Sequence, residues 1–314
     1  SEMCIRDRYN TFKKFSNKEI AEYPFPRIPY KEAMLKYGCD KPDLRNPLII
    51  VDVTEFFQRC TFKPFHGLTV RAIKVSGHMS KGFHEKMLEF AKSIGMGGLG
   101  YLEVQEDLKY KGPIDKFIPD DMKKELMDLA DLQKEDTIFF IADNEQLANN
   151  YACQIRTELG KRLNLIDESK FKFCWIVDFP MYELDDNGKI AFSHNPFSMP
   201  KGGLEALNTM EPLDIVAYQY DIVCNGIELS SGAVRNHDPE IMIKAFELAG
   251  YGKETIEEKF SALFNAFQYG APPHAGIAPG IDRMIMLLTE SDVIRDVIAF
   301  PMNSKAEDLL MGAP

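Results

Sequence analysis

The stretch from Tyr218 to His237, YQYDIVCNGIELSSGAVRNH, holds two carboxylates and an arginine at spacings that could do chemistry. Asn225-Gly226 between two β-type runs predicts a tight hairpin. A two-residue loop there pairs Cys224 with Ile227, Val223 with Glu228 and Asp221 with Ser230. Alternation then puts Asp221 and Glu228 on one face as diagonal neighbours, roughly 5 to 8 Å apart at the β-carbons. Two carboxylates so placed repel unless something compensates. Mg²⁺ suits the task, being a hard cation that takes one or two carboxylates together with phosphate oxygens. A solvated pair on an open sheet face is the alternative, and spacing alone does not separate the two. Arg235 lies seven positions beyond Glu228, so strict alternation sends it to the opposite face. A one-residue bulge near Ser231-Gly232 would return it to the Glu228 face, and that bulge is expected.

A second cation raises a related question. In APGIDRMIMLL (Ala278 to Leu288) a Pro-Gly break leads into an apolar helical run with Arg283 in its first turn. The amino end of a helix already carries partial positive charge, so an arginine there calls for a nearby anion. Either Asp282 or Glu290 supplies it on the surface, or a ligand does. His194 opens HNPFS and reads on its own as a turn residue before Asn-Pro, with a ligand contact as the alternative.

These groups must be positioned by a chain of 314 residues, long enough for two domains or one large one. The composition is globular, with 45% hydrophobic and 27% charged residues. The longest apolar runs are only a few residues, so no helix spans a membrane, and no signal-peptide order opens the chain. Six cysteines with no pair at two-residue spacing argue against a zinc site or a disulfide framework and fit a reducing cytosol. The net charge of -11 argues against general affinity for nucleic acid; a polyanionic partner would need a local basic patch or another part of the protein.

Along the chain, YPFPRIPYKEAMLKYGCDKPDLR suits an extended approach to a short helix, Tyr30 to Tyr37, stopped by Gly38. From about Asn46 to Ile166 strands alternate with helices. LTVRAIKV (Leu68 to Val75) and TIFFIA (Thr137 to Ala142) read as strands, the second of the buried type. Ser80 caps a helix with Phe83, Met87, Phe90 and Ile94 on its apolar stripe and Gly95 at its end. Further helices are expected over Asp120 to Leu132 and Asn144 to Leu163. GMGGLG (Gly95 to Gly100) matches a dinucleotide pattern, but a helix precedes it and a strand follows. That order is the reverse of what phosphate binding needs. From Phe171 onward the chain reads as mostly antiparallel strand, with Asp185-Asp186-Asn187-Gly188 as a hairpin turn. No repeat of 20 to 50 residues is evident. The opening SEMCIRDR, back-translated, resembles a transposon-end sequencing adapter, so residues 1–8 are expected to be foreign, Tyr9 internal to a longer protein, and Cys4 irrelevant to the chemistry.

Taken together, FCWIVDFPMYE, HNPFSMP, YDIVCNGIELSSGAVRNH, YGAPPHAGIAPGIDRMIMLLT and IRDVIAFP resemble the carboxy-terminal catalytic part of the bacterial-type aspartyl-tRNA synthetases. KPDLR and FAKSIGMGGLGYLEV resemble the GAD insertion domain of the bacterial form. The likeness runs from about Phe15 onward with the motifs in order. It implies an α+β fold: the antiparallel-sheet core of a class II synthetase, interrupted by an α+β insertion. The implied boundaries are core at residues 9–45, insertion at 46–166, and core with the third class II motif at 167–314.

The reaction implied has two steps. The α-carboxylate of L-aspartate attacks the α-phosphorus of ATP to give aspartyl-adenylate and pyrophosphate; a ribose hydroxyl of tRNA(Asp) then takes the aspartyl group. Such chemistry needs positioning and charge neutralisation rather than a covalent nucleophile. By the resemblance, Asp221 and Glu228 hold Mg²⁺ and ATP, and Arg235 clamps the side-chain carboxylate of aspartate in two-pronged fashion. His194 borders the amino-acid pocket. Gly280, Ile281, Asp282 and Arg283 form the third motif, Arg283 reaching the triphosphate, while Gly276 and Gly280 let backbone approach the nucleotide. Relatives often carry His-His-Pro where this chain has His194-Asn195-Pro196, so only the first position carries over. SSGAV stands where they have a more glycine-rich run.

The resemblance also implies a cytoplasmic homodimer with no membrane or DNA partner, and leaves open whether tRNA(Asn) is charged too. The anticodon-binding domain and the first two class II motifs normally precede residue 9. Without the second-motif arginine one transition-state donor is lost, about 3 to 4 kcal/mol, and the chain is expected to be inactive alone. A non-catalytic synthetase-like paralogue is the main rival, and Asp221, Glu228, Arg235 and Arg283 together argue against it. Asparaginyl or lysyl enzymes lack the insertion, and an amidotransferase subunit lacks the third motif.

Overall fold

A computed structural model of the chain describes residues 2–303, 305–308, 311 and 312, with side chains from residue 6 onward. The side chain of Cys4 and most of the closing LLMGAP lie outside that description. The chain divides into two compact units, residues 1–30 with 169–314, and residues 31–168.

The first unit opens with α1 (Glu2–Phe15), β1 (Glu19–Ile20) and β2 (Arg27–Pro29). Helix α1 begins within the segment expected to be foreign, at residues 2–8. It runs through them, and Arg8, 5% exposed, donates to the Ser230 hydroxyl from Nε at 3.1 Å and Nη2 at 2.6 Å.

The chain then builds the second unit from α2 (Tyr30–Tyr37), β3 (Ile50–Asp52), α3 (Thr54–Arg59), β4 (Thr69–Val75), α4 (Lys81–Ser93), β5 (Gly100–Val104), β6 (Tyr110–Lys111), α5 (Asp120–Leu129), β7 (Thr137–Asp143) and α6 (Glu145–Arg162). Its antiparallel sheet has the order β3-β4-β7-β5-β6. Period-two alternation sends Val70, Ala72, Ile138 and Phe140 to a core shared with α3 and α5. Ile73, Val75, Phe139 and Ile141 go to a second core under α4 and α6. A strand covered on both faces is apolar at successive positions, which is why TIFFIA does not alternate.

Ser80 and Asn144 cap α4 and α6 through their side chains, and Gly95 ends α4 at φ 101°. Helix α5 stops at Leu129, three residues short of the expected Leu132, because Asp131 takes a left-handed φ of 47°. This unit also begins earlier than the expected Asn46. Residues 31–45 belong to it because Arg156 of α6 draws that segment in. Arg156 is 1% exposed and donates to the carbonyls of Leu48 at 2.6 Å, Asn46 at 2.7 Å and Asp43 at 3.0 Å.

Gly38 closes α2 at φ 74°, where an added Cβ would lie 2.4 Å from the Asn149 carbonyl oxygen of α6. Gly38→Ala is therefore expected to cost the chain about 2 kcal/mol, from left-handed strain and the forced shift of α6. Urea unfolding checks this, and an unchanged midpoint would show that the contact relaxes freely.

The chain returns to the first unit through β8 (Lys170–Phe171), β9 (Phe173–Pro180), β10 (Tyr182–Leu184), β11 (Ile190–Phe192), α7 (Gly203–Thr209), β12 (Val216–Cys224), β13 (Ile227–Val234), α8 (Pro239–Leu248), α9 (Lys253–Lys259), α10 (Ser261–Phe267), β14 (Ala275–Pro279) and α11 (Ile281–Leu288). The main sheet has the order β14-β13-β12-β9-β2, antiparallel except for the β2–β9 edge. A parallel neighbour needs a long crossover, and here the whole second unit supplies it.

This region is less strand-rich than expected, since five helices interrupt it. Asp238 caps α8 by accepting from the amides of Glu240 and Ile241, with Pro239 at its first position, so the Asp-Pro start signal was present in the sequence. One face of the sheet packs Trp175, Ile222, Cys224 and Leu229 against Phe12 of α1 and Met284 of α11. Among the described residues no helix is long and apolar enough to cross a membrane.

Candidate active site

The hairpin of β12 and β13 turns at Asn225 (φ 52°) and Gly226 (φ 84°), the paired left-handed geometry that Asn-Gly favours. Cys224 pairs with Ile227 and Val223 with Glu228, as the loop length requires. The register then shifts: Ile222 opposes Ser230, so Asp221 opposes Ser231 rather than Ser230. The extra residue is Leu229. A bulge does restore Arg235 to the Glu228 face, but it falls at Leu229 and not near Ser231-Gly232.

Packing decides the place. Leu229 is fully buried in the core with Ile222, Cys224 and Met284. Gly232 serves a different end: a Cβ there would sit 2.3 Å from the Gly276 carbonyl of β14 and 2.6 Å from the Tyr220 ring. Only glycine lets β14 and Tyr220 close on β13 at that point. The Tyr220 hydroxyl donates to the same Gly276 carbonyl at 3.1 Å.

The bulge also docks α11. The Leu229 carbonyl accepts from Gly280 N at 2.7 Å, and the Glu228 carbonyl accepts from Arg283 Nη1 at 2.8 Å. The same Nη1 lies 3.4 Å from the Glu228 carboxylate. The anion beside Arg283 is thus Glu228, neither Asp282 nor Glu290. The Arg283 side chain remains 45% exposed and that of Glu228 23% exposed, so the pair keeps an open side. Ile281 and Asp282 are exposed next to it, and Gly280 is half-buried. A Cβ on Gly276 would meet open space, while one on Gly280 would lie 3.3 Å from the Leu229 carbonyl oxygen.

Asp221 is 4% exposed and stays diagonal to Glu228, two positions along β12 from the partner of Glu228. Hard carboxylate oxygens on adjacent strands are the donor type Mg²⁺ takes, although the described residues include no group of three or more histidine, cysteine, aspartate or glutamate side chains placed to hold a metal ion. Two carboxylates leave most coordination positions to phosphate and water, as this ion prefers.

Arg235 sits just past β13 and forms an isolated bridge with Ser198, and its amide donates to the His274 carbonyl at 2.9 Å. It lines a cavity of about 310 Å³ with Phe197, Asn236, Phe267 and His274. The HNPFSMP segment reaches this place by backbone bonds, Asn236 N to the Phe197 carbonyl at 2.7 Å and Met199 N to the Val234 carbonyl at 2.8 Å. His194 itself is exposed, with Nδ1 at 2.8 Å from the Ser193 hydroxyl and its ring edge-on to Phe179 at 4.9 Å. Sequence reasoning missed Tyr220, Gly232 and His274 as shapers of the site; the first two are signalled only by which strands pair.

The sequence that builds this sheet, its hairpin and α11 has counterparts among known proteins. The family model for tRNA synthetases class II (D, K and N) matches residues 2–304, so the chain belongs to that family. The Aspartate--tRNA(Asp/Asn) ligase of Rickettsia felis is 54% identical over 318 residues, covering 98% of this chain and 53% of its own length. That of Ehrlichia chaffeensis is 54% identical over 313 residues, covering 97% of this chain and 53% of its own. The chain spans about half the length of these curated relatives.

Proposed function

We propose that the chain carries the amino-acid-activating part of an aspartate--tRNA ligase, acting on L-aspartate, ATP, tRNA(Asp) and, following the names of its relatives, tRNA(Asn). The observation that carries this reading is the Glu228–Arg283 pair at the junction of β13 and α11, 3.4 Å apart with an open side. A cation held by one carboxylate beside a second, buried one suits a triphosphate that arrives with Mg²⁺.

In this reading Arg283 turns to the triphosphate while Gly280, Ile281 and Asp282 frame it. Asp221 and Glu228 hold the metal, which when bound neutralises phosphate charge. Arg235 fixes the side-chain carboxylate of aspartate in its cavity, and His194 borders that pocket. The aspartate α-carboxylate then attacks the α-phosphorus, its bond to pyrophosphate breaks, and the ribose hydroxyl of tRNA later displaces AMP from the aspartyl carbonyl. The 31–168 unit corresponds to the GAD insertion. The complete protein is proposed to be a cytoplasmic homodimer with no membrane or DNA partner.

Titration calorimetry with Mg·ATP tests the site in the chain as it stands. Arg283→Ala is expected to weaken binding at least about tenfold, the size of one charge-assisted hydrogen bond. Equal affinity in both would remove Arg283 from the nucleotide site. Nucleotide binding without aspartate-dependent pyrophosphate exchange, in a chain completed to its relatives' length, would favour a non-catalytic paralogue.

A further inference from the structure

The cavity beside Arg235 carries more unspent bonding capacity than the arginine alone. Arg235 is half-buried, and among the described residues its guanidinium makes neither a hydrogen bond nor an ion pair. Asn236 lines the same cavity and is 1% exposed. Its side-chain oxygen accepts from the Asp238 amide at 3.2 Å, where α8 is about to begin. A backbone amide only donates, so this bond fixes which way the carboxamide is turned and leaves its NH₂ group on the other side. There Nδ2 is buried and has no hydrogen-bond partner. Buried side-chain donors are nearly always paired, so an unpaired one in the wall of a cavity calls for an acceptor from outside the chain.

The two donors are held in place before any ligand arrives. The Arg235 amide donates to the His274 carbonyl at 2.9 Å, and the Asn236 amide to the Phe197 carbonyl at 2.7 Å. Groups fixed in this way lose little freedom on binding.

The rest of the lining narrows the ligand. Phe197, Leu263 and Phe267 are apolar, and His274 has its Nδ1 engaged 2.9 Å from the Pro272 carbonyl. A planar guanidinium fork and one carboxamide NH₂ against apolar walls suit a group with two acceptor oxygens on a short stem, which is a carboxylate. A carboxamide of the same shape offers one oxygen and turns its own NH₂ toward a donor. A site built on such pairing rejects the analogue because its buried groups are left unmatched.

We propose that Asn236 is a specificity-determining residue of this pocket. Its Nδ2 donates to one oxygen of the side-chain carboxylate of aspartate while Arg235 holds the other, and the pair favours aspartate over asparagine. This rests on the reading of the cavity as the aspartate pocket and adds a contact that Arg235 cannot make alone.

Ligand-observed NMR titration of the native chain with L-aspartate and L-asparagine tests the assignment. Wild type is expected to bind aspartate at least about tenfold more tightly than asparagine. Asn236→Ala should weaken aspartate about tenfold, the size of one hydrogen bond to a charged group, and asparagine much less. Asn236→Asp keeps the oxygen that the Asp238 amide needs but puts a charged oxygen in place of the NH₂, and should lose aspartate more completely than alanine does. Affinity for Mg·ATP should stay within about twofold in both variants, whereas a merely structural role would lower every affinity together. In the wild-type chain carrying isotope-labelled asparagine, the Asn236 side-chain amide signal should move when aspartate is added, a readout that depends on no variant folding. If both variants bind aspartate as wild type does, or that signal stays still while aspartate binds, the assignment of Asn236 is overturned and the pocket reading survives. If wild type binds no aspartate, or Arg235→Ala binds it as tightly as wild type, the pocket reading itself fails and takes the assignment with it.

Discussion

Arg156→Ala is expected to destabilise the 31–168 unit by about 3 to 5 kcal/mol, read as a lower denaturant midpoint. The guanidinium is 1% exposed and donates to three backbone carbonyls of residues 43–48, with Nε on Leu48 at 2.6 Å. The Asn46 amide returns a bond to the Arg156 carbonyl at 2.8 Å, and a Cβ on Gly160 would lie 2.3 Å from that amide nitrogen. Alanine would strand these carbonyls away from water and leave a cavity under Tyr37. A loss of that size is comparable to the whole margin of a small domain. Arg156→Lys is expected to recover only part of it, because one ammonium cannot reproduce a planar fork aimed at several acceptors. A midpoint within error of wild type for alanine would mean that the 43–48 segment is held by something other than this residue.

Glu228→Gln is expected to separate activity from stability. Its ion pair with Arg283 spans 3.4 Å between partly exposed groups, so its loss should move the midpoint of unfolding by less than about 1 kcal/mol. In an enzyme completed to the relatives' length, aspartate-dependent pyrophosphate exchange is expected to fall by about two to three powers of ten, the range for removing one charge-stabilising group. Glutamine keeps the size and the hydrogen-bonding oxygen but not the negative charge that a metal and the waiting Arg283 require. Wild-type exchange in this variant would take Glu228 out of the proposed chemistry. A large drop in stability would recast it as a docking residue for α11.

Much of the scaffold was legible because its signals are local. Asn225-Gly226 specifies its turn through left-handed backbone at two successive residues. Ser80 and Asn144 announce helix starts by accepting amides within one turn, and Gly38 and Gly95 announce stops. Arg283 stood out because a cation at a helix start needs an anion, and the structure supplies one in Glu228.

Nonlocal features were not legible in the same way. The bulge was anticipated from the Arg235 alternation, yet its position was not. Leu229 takes it because that residue is drawn into the core beneath α11, while Gly232 is needed where β14 and Tyr220 press closest. Arg156 carried no signal within a helical run, because its acceptors lie more than a hundred residues earlier. By itself, then, the amino-acid order determined turns, caps, alternation and the family likeness, all of which depend on neighbours within a few residues. Which strand slid by one position and which guanidinium was buried were decided by tertiary structure, where distant side chains compete for the same space.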